Sequence, residues 1–303
     1  MNCPTLVMRK TPTKDPLHDF RVFLFVTWKF LGLPEPTPVQ YDIANYLQRI
    51  YKGKGPRRAI IEAFRGVGKT WITSAFTCWV LYCNPQLKIL VVSASKLHSD
   101  NFTTFTMRLI QEMPELAHLK PRDDQRNSKV SFDVAPATAA HAPSVKSVGI
   151  TGQLTGSRAD IIVVDDVEVP NNSATQMMRE KLAEAVKEFD AILKPNGIVI
   201  YLGTPQTEMS LYNVLPERGY TLRIWPARYP GTDLVKYYGD KLSPKIIKAL
   251  EADATLVGSP TDPKRFSDFD LLERENSYGR SGFQLQFMLN TRLSDAERYP
   301  LKL

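Results

Sequence analysis

The sequence predicts an α/β fold in which a mostly parallel sheet is covered by helices on both faces. Short apolar runs rich in Ile and Val recur at residues 59–63, 88–94, 161–164, 198–202 and 220–226. Continuous runs of this kind are typical of strands that are buried on both faces. Segments with helical spacing of apolar residues separate most of them. Several runs end in glycine, acidic or hydroxyl residues, as expected where a ligand binds at the carboxyl ends of parallel strands.

Composition bounds the class of protein. The chain has 303 residues, 43% of them hydrophobic, so it can bury a full core as roughly two units of ~150 residues or as one large domain with appendages. The net charge of +7 favours a polyanionic partner without requiring one. Cys3, Cys78 and Cys83 have no metal or redox spacing, which indicates reduced thiols in a cytosolic protein. Residues 1–16 are too polar for a signal peptide and the apolar run 71–83 is too short for a membrane span, so we expect no membrane role.

The N-terminal region predicts two helices. Residues 20–33 are apolar with charged interruptions, as in an amphipathic helix. The segment PEPTP, residues 34–38, ends that helix, and a second helix begins at Thr37 or Val39. Gln40 lies on this second helix, where its amide either bonds the edges of an adenine or is simply solvated. The basic, glycine-rich residues 51–58 then form a loop.

A phosphate-binding loop is predicted after the first strand. The segment AFRGVGKT, residues 63–70, has the spacing G-x-x-x-x-G-K-[ST], with alanine in the first glycine position. Gly66 and Gly68 let successive backbone N–H groups point at phosphate oxygens. Lys69 would reach the β and γ phosphates, and the Thr70 hydroxyl can hold Mg²⁺. The alternative is a glycine turn that happens to contain Lys-Thr, but the strand before the motif and the helix after it favour the phosphate loop.

The next region predicts a strand at residues 88–94 and a helix at 96–113. A strand that lies in sequence between the phosphate-loop strand and the acidic strand is what an additional-strand P-loop ATPase needs. Residues 114–143 are irregular around a hairpin strand at 130–134. They form a surface excursion that either contacts DNA or is a solvated loop. Its basic residues are Lys120, Arg122, Arg126 and Lys129.

An acidic pair follows the buried run 161–164. Asp165 at the carboxyl end of this strand would lie beside the phosphate loop and hold Mg²⁺ through water. The next carboxylate can polarise the attacking water, and the candidates are Asp166 and Glu168. Acidic residues after a strand are often only a helix cap. Their pairing with Lys-Thr of the phosphate loop favours the Mg²⁺ site.

The rest of the sheet is predicted from residues 171 onward. Residues 171–193 form one amphipathic helix, residues 194–197 a turn, and residues 198–202 another strand. Thr204, in the segment GTPQ, either senses the γ-phosphate or belongs to an ordinary turn. The last strand is at 220–226, and beyond residue 230 we find polar helical segments without a motif of chemistry.

Together these segments resemble the ATPase half of the large terminase subunit of tailed phages, most closely the form called DNA maturase B in short-tailed phages. The resemblance covers essentially the whole chain. It rests on the segments FRGVGKT (64–70), GSRAD (156–160), VDDVE (164–168), LGTP (202–205) and GFQLQF (282–287). Alanine at position 63 departs from the usual glycine. Asp166 stands where most relatives have Glu, so the base is either Asp166 or Glu168.

The resemblance implies an additional-strand P-loop NTPase that uses ATP and Mg²⁺. It makes Gln40 an adenine contact, Arg65 the loop arginine of these motors, and Thr204 part of the motif that couples hydrolysis to movement. The implied nucleotide contacts are Gln40, Arg65, Gly66, Val67, Gly68, Lys69, Thr70 and Thr204, and the implied metal ligands are Thr70 and Asp165.

The resemblance also implies a function, the packaging of double-stranded DNA into a preformed capsid by a homo-oligomeric ring in the host cytoplasm. Its partners would be the portal protein and the small terminase subunit. We expect an N-terminal helical segment at 1–55, an ATPase core at 56–230 and a linker subdomain at 231–303. Relatives carry a nuclease domain after the ATPase. This sequence stops at Leu303 and has no carboxylate cluster with two-metal spacing after Phe269, so we expect no DNA cleavage by this chain. The alternatives are a helicase-like remodelling ATPase and a DNA-binding module that is switched by nucleotide.

Arg158 lies seven residues before Asp165, at the amino end of the acidic strand. In a parallel sheet this position is at the end opposite the phosphates of the same subunit. Gly152 and Gly156 make the approach to Arg158 a flexible turn. The residue is therefore either an arginine finger offered to a neighbouring subunit or a surface arginine that pairs with Asp160 or a helix end.

Overall fold

A computed structural model describes residues 15–154 and 156–292 of the chain. One sheet of seven strands is formed, in the order β3-β4-β2-β5-β6-β1-β7, and every pairing is parallel except that of β3 with β4. The strands are β1 (Arg58–Ala63), β2 (Ile89–Ser93), β3 (Ser131–Phe132), β4 (Val145–Gly149), β5 (Ala159–Asp165), β6 (Leu193–Gly203) and β7 (Thr221–Trp225). The predicted α/β class is confirmed. Cys3 and residues 293–303 of the predicted linker subdomain lie outside the described residues.

Helices cover both faces of this sheet, and their apolar sides form one core with the buried strands. They are α1 (Phe20–Phe30), α2 (Pro38–Tyr51), α3 (Lys69–Cys83), α4 (Lys96–Glu112), α5 (Pro170–Ser173), α6 (Gln176–Ala185), α7 (Glu188–Ile192), α8 (Leu211–Val214), α9 (Thr232–Tyr238), α10 (Pro244–Ala252) and α11 (Asp268–Gln286). Short 3₁₀ turns lie at Pro16–His18, Pro114–Leu119, Leu215–Arg218, Gly239–Lys241 and Ala254–Leu256. In the described parts of the chain, no helix combines the length and apolarity needed to cross a membrane.

The order of the strands in the sheet brings the predicted site residues to one edge. β6 lies between the phosphate-loop strand β1 and the acidic strand β5, whereas β2 lies on the far side of β5. The fold is thus of the additional-strand type, although the strand inserted in the sheet is β6 and not the strand that lies between them in sequence. Asp165 is in register with Leu202, and Glu62 is in register with Gly203. The carboxyl ends of β5, β6 and β1 therefore meet at one edge.

Two predictions about local structure were wrong, and one strand was missed. The predicted helix 171–193 is three helices. The break between α5 and α6 arises because Thr175 leaves helical geometry and accepts a hydrogen bond as the N-cap of α6. The predicted turn 194–197 lies within β6, which already pairs with β5 at Leu193 and accommodates Asn196 at φ 64° through a shift of register. The strand β4 was missed, because VKSVG is short and mixed in polarity and becomes a strand by pairing with β2 and β3.

Candidate functional site

The loop between β1 and α3 has the backbone of an anion-binding site. Gly66 and Gly68 have φ of 95° and 91°, in the left-handed region that only glycine enters without strain. Gly68 is the N-cap of α3, and no side chain caps this helix. The first N–H groups of a 15-residue helix are therefore directed at the cavity beside the loop. This is the geometry that binds phosphate oxygens.

Lys69 is held inside this loop. Its Nζ donates to the Ala63 carbonyl at 2.8 Å and to Thr204 Oγ1 at 2.9 Å. Burial lowers the pKa of Lys69, and the nearby carboxylates of Asp165 and Asp166 oppose this shift. The Thr204 hydroxyl also donates to the Ala63 carbonyl at 3.2 Å. The lysine thus connects the loop after β1 with the loop after β6.

Thr70 and Asp165 are in contact across the site, with Thr70 Oγ1 donating to Asp165 Oδ2 at 2.9 Å. Burial, and secondarily Asp166, raises the pKa of Asp165 to about 7, against the opposing effects of Thr70 and Lys69. A cation beside Asp165 would relieve this cost, and a hydroxyl with a carboxylate is an oxygen donor set suited to Mg²⁺. Among the residues described, no group of three His, Cys, Asp or Glu side chains could form a closed metal cage. The pair fits an ion that takes its remaining ligands from phosphate and water.

The two candidate bases have different environments. Asp166 is exposed, has φ 43° and lines the cavity. Glu168 is buried, and both of its carboxylate oxygens accept hydrogen bonds, from Gln206 N at 2.9 Å, from Ser210 Oγ at 2.9 Å and from Leu211 N at 2.6 Å. Burial raises the pKa of Glu168, and these bonds oppose the shift. Glu168 is committed to positioning the start of α8, which leaves Asp166 as the carboxylate that is accessible to a water molecule.

Gln40 is buried against the phosphate loop. Its Oε1 accepts from Thr37 N at 3.0 Å, and its Nε2 donates to the Val67 carbonyl at 2.8 Å. The interpretation of Gln40 as a solvated helix residue is wrong, because the side chain supports the loop. An adenine contact would use only the second N–H of the amide. Gln40 borders a cavity of about 590 Å³ that is also lined by Gly68 and Trp71.

The phosphate loop and the acidic strand border a larger cavity of about 610 Å³, and it shares Gly68 and Trp71 with the one beside Gln40. Together the two cavities offer room for a triphosphate and an attached base. The predicted site residues that line the larger cavity are Arg65, Gly66, Gly68, Lys69, Thr70, Asp165, Asp166, Glu168 and Thr204.

Comparison with known proteins agrees with this geometry. Residues 60–190 match the family model described as the terminase large subunit, T4likevirus-type, N-terminal. The chain is 56% identical over 292 residues to the large terminase subunit of Enterobacteria phage T3, in an alignment that covers 94% of this chain and 49% of that protein. The chain belongs to the terminase large-subunit family. It spans about half the length of this curated relative.

A solved structure supports the fold of this terminase chain. The crystal structure of the large terminase of bacteriophage HK97 matches with a TM-score of 0.52 and 14% identity, over 90% of this chain and 54% of that one. At this identity the likeness shows the fold alone. The resemblance that was read from the sequence motifs is confirmed, including its extent over nearly the whole chain.

The sequence prediction missed a cation at the site, because it found no chemistry after residue 230. Arg265 lines both cavities, and its Nε donates to the Gly66 carbonyl at 2.6 Å. Within residues 15–154 and 156–292, Arg265 forms no ion pair with a carboxylate. The adjacent Phe266 packs edge-on against Phe64. It leaves no room for a side chain at Gly66, since a Cβ there would lie 2.7 Å from Phe266 Cζ. The only sequence signal was the basic pair that follows PTDP at residues 260–263.

Gln286, near the end of α11, was the second omission. Its Oε1 accepts from Arg65 Nη1 at 2.8 Å, and its Nε2 donates to Gln206 Oε1 at 3.0 Å and to the Pro205 carbonyl at 3.3 Å. The backbone N–H of Arg65 also donates to the Gln286 carbonyl at 3.2 Å. One buried amide thereby joins the loop after β1 to the loop after β6. Position 286 lies in the GFQLQF segment of the resemblance, but no role was predicted for it.

Arg158 is placed at the amino end of β5, away from the cavity. Its side chain is exposed, and its Nη1 donates to the Ser157 carbonyl at 3.0 Å and to the Ala191 carbonyl near the end of α7 at 3.4 Å. Asp160 pairs instead with Lys194 at 2.9 Å. Of the two surface partners that we considered for Arg158, it therefore contacts the helix end.

Proposed function

We propose that this chain is the ATP-hydrolysing part of a motor that drives double-stranded DNA into a preformed capsid. One observation carries the proposal: Lys69, Thr70 and Asp165 meet Thr204 at the carboxyl ends of three adjacent strands, around a cavity that fits a triphosphate. Membership of the terminase family supplies the biological setting.

In the proposed mechanism the phosphates of ATP lie against the backbone N–H groups of residues 66–70, and Lys69 exchanges its bond with Thr204 for phosphate oxygens. Thr70 and Asp165 would hold Mg²⁺, which would neutralise charge on the transferring phosphoryl group. Asp166 orients the attacking water and accepts its proton. The hydrogen bond from Lys69 to Thr204 breaks when the phosphate binds and forms again when the phosphate leaves. Thr204 thereby transmits the state of the nucleotide to β6.

The residues around the loop have supporting roles in the proposal. Arg65 contributes charge to the γ-phosphate side of the cavity, where it lines the wall. Gln40 holds the loop through Val67 and offers its remaining N–H to the base. Glu168, the alternative base, positions the 206–211 segment. The chain then divides into a helical segment at 1–55, an ATPase core at 56–230 and a linker subdomain at 231–303.

The proposal extends to partners. The active form is a homo-oligomeric ring in the host cytoplasm that engages double-stranded DNA, the portal protein and the small terminase subunit. In such a ring, Arg158 is the finger that one subunit offers to the cavity of its neighbour, since it precedes the amino end of β5 and its own cavity lies at the carboxyl end. We expect the chain not to cleave DNA, and plasmid nicking in Mg²⁺ or Mn²⁺ that is absent from a mock preparation would contradict this.

Two assays separate the motor from its alternatives. ATP turnover is measured with and without a long duplex, and the same mixture is tested for displacement of a third strand and for separation of the duplex strands. A packaging motor shows DNA-stimulated turnover and displaces the third strand while the duplex stays paired. Strand separation would favour a helicase-like remodeller. Nucleotide-dependent DNA binding without turnover would favour a switch.

A further inference from the structure

A second polar cleft lies at the edge of the sheet, beside β7. It has a volume of about 430 Å³, and its walls come from α2, from the loop 54–56, from β7 and from α10. It shares no lining residue with either cavity of the ATP site. The mechanism proposed above therefore assigns it no role.

The cleft is strongly cationic. Five positive side chains face a single carboxylate, Asp42, and these five are Arg49, Lys54, Arg223, Lys245 and Lys248. In the part of the chain that the structure describes, none of the five forms an ion pair with a carboxylate. Five like charges with one counter-charge among them repel one another, and an anion bound among them would relieve that repulsion.

Asp42 is occupied in building the walls of the cleft. Its Oδ2 accepts from Trp225 Nε1 at 2.8 Å and from Ser243 Oγ at 2.6 Å. These two bonds fasten α2 to β7 and to the N-cap of α10. Arg223 lies over the Tyr46 ring at 5.3 Å, and its Nε is buried without a hydrogen-bond partner. The cleft is thus preformed, and its single carboxylate offsets only one of the five positive charges, which leaves a formal excess of four.

The basic excursion at residues 114–143, for which the sequence predicts either a DNA contact or a solvated loop, differs from this cleft in how its cations are paired. Arg122 bonds Asp124 at 3.2 Å, and Arg126 lies 3.8 Å from Asp133 and donates to the Ala140 carbonyl. These two of the excursion's four cations are thus paired with carboxylates of their own loop. In the cleft, Lys245 donates to the Pro38 carbonyl at 3.0 Å and Arg49 to the Lys54 carbonyl at 3.4 Å, but among the described residues none of the five cations is paired with a carboxylate.

We propose that the cationic cleft binds the phosphodiester backbone of duplex DNA. Lysine and arginine contacts to phosphate position a protein on DNA without reading its sequence. A cleft of this size receives the edge of one strand, because the major groove alone of a duplex is about 12 Å wide. The inference rests on the proposed function in taking double-stranded DNA as the substrate. It adds where the DNA is held and that the contact is independent of base sequence.

The test is the salt dependence of DNA binding by the 303-residue chain, measured by fluorescence anisotropy of a labelled duplex. The test variant combines Arg49→Gln with Lys248→Gln, and the matched control combines Lys120→Gln with Lys129→Gln on the excursion. The logarithm of the binding constant falls linearly with the logarithm of the salt concentration, and each lost phosphate contact makes this slope shallower by about one. We expect the test variant to lose about two units of slope and at least about fivefold in affinity near 0.1 M salt. The loss should be equal on two duplexes of unrelated sequence.

Two further readouts keep the outcome clear. ATP turnover without DNA should stay at the parent value in the test variant, and its thermal melting should match that of the control. No detectable DNA binding by the parent, an unchanged slope in the test variant, or an equal loss in the control pair would overturn the proposal. A parent that hydrolyses no ATP but shows the expected slopes would refute the motor and leave the cleft intact.

Discussion

Replacing Gln286 by leucine tests whether the C-terminal helix α11 positions the ATP site. Leucine keeps the size of this buried side chain, but it removes three hydrogen bonds, to Arg65, to Gln206 and to the Pro205 carbonyl. A typical hydrogen bond contributes about 1 kcal/mol. Because Arg65 is exposed, we assign its bond no more than that. The total is about 3 kcal/mol, divided between fold stability and the placement of the two loops.

If about half of this total acts on placement, turnover falls roughly tenfold, since about 1.4 kcal/mol corresponds to a factor of ten. We expect kcat to fall about tenfold and KM to change less than threefold, because the affected groups surround the reacting phosphate more than the base. The assay is steady-state ATP hydrolysis with thermal melting of each variant. Gln284→Leu, on the same helix, is the matched control and should retain the parent kcat, because the one side-chain hydrogen bond of Gln284 among the described residues is to Asn290. A Gln286→Leu variant that melts earlier but keeps the parent kcat would refute the positioning role.

Three further predictions follow from the carboxylates and from Arg158. Asp166→Asn should bind ATP normally and lower turnover at least about hundredfold, whereas Glu168→Gln should mainly lower the melting temperature because both of its oxygens hold protein donors. Burial, and next the neighbouring Glu168, raises the pKa of Glu62 to about 8, above its ordinary value of 4.5. The folded protein therefore keeps the Glu62 proton up to about pH 8, whereas the unfolded chain releases it above about pH 4.5. The stability that this proton contributes is complete below about pH 4.5 and lost as the pH rises through about 8, so Glu62→Gln should gain stability relative to the parent between those values, by on the order of a few kcal/mol in chemical denaturation. Lys69→Ala and Arg158→Ala subunits, each inactive alone, should regain activity when mixed with DNA or portal present, because mixed interfaces pair an intact cavity with an intact finger.

Each of these predictions has a contradicting result. Parent turnover in both Asp166→Asn and Glu168→Gln would exclude a base in this segment. A stability difference for Glu62→Gln that does not change with pH would show that Glu62 is ionised in the folded state. Mixtures no more active than their components would leave Arg158 with the role that its bond to Ala191 implies, at the end of α7.

The parts of the site that the sequence predicted are local in the chain. The loop 63–70 owes its shape to two glycines and its chemistry to the adjacent Lys69 and Thr70, so its spacing identifies it together with the strand before it and the helix after it. Asp165 was found because an apolar run buried on both faces must end at the sheet edge, and this run ends directly in an acidic pair. In both cases the residue and its context lie within one short segment.

The missed parts depend on contacts between distant segments. Arg265 reaches Gly66 across 199 residues, and Gln286 reaches Arg65 across 221 residues. Neither belongs to a motif whose spacing points at a phosphate. The strand β4 was missed for a similar reason, because its five residues acquire their conformation from the strands on either side. Gln40 shows the reverse case, since its position on α2 was predicted but its bond to Val67 appears only in the fold.

The central claim is that the cavity at the ends of β1, β5 and β6 hydrolyses ATP. Steady-state ATP turnover by purified Lys69→Ala, beside the parent and the exposed control Lys129→Ala, tests it most directly. Loss of the buried lysine removes the charge that would stabilise the transferring phosphoryl group, which is worth several kcal/mol in such sites, so we predict a fall of at least about 10³-fold. The control should keep the parent rate. Turnover by Lys69→Ala above about half of the parent rate would contradict the account.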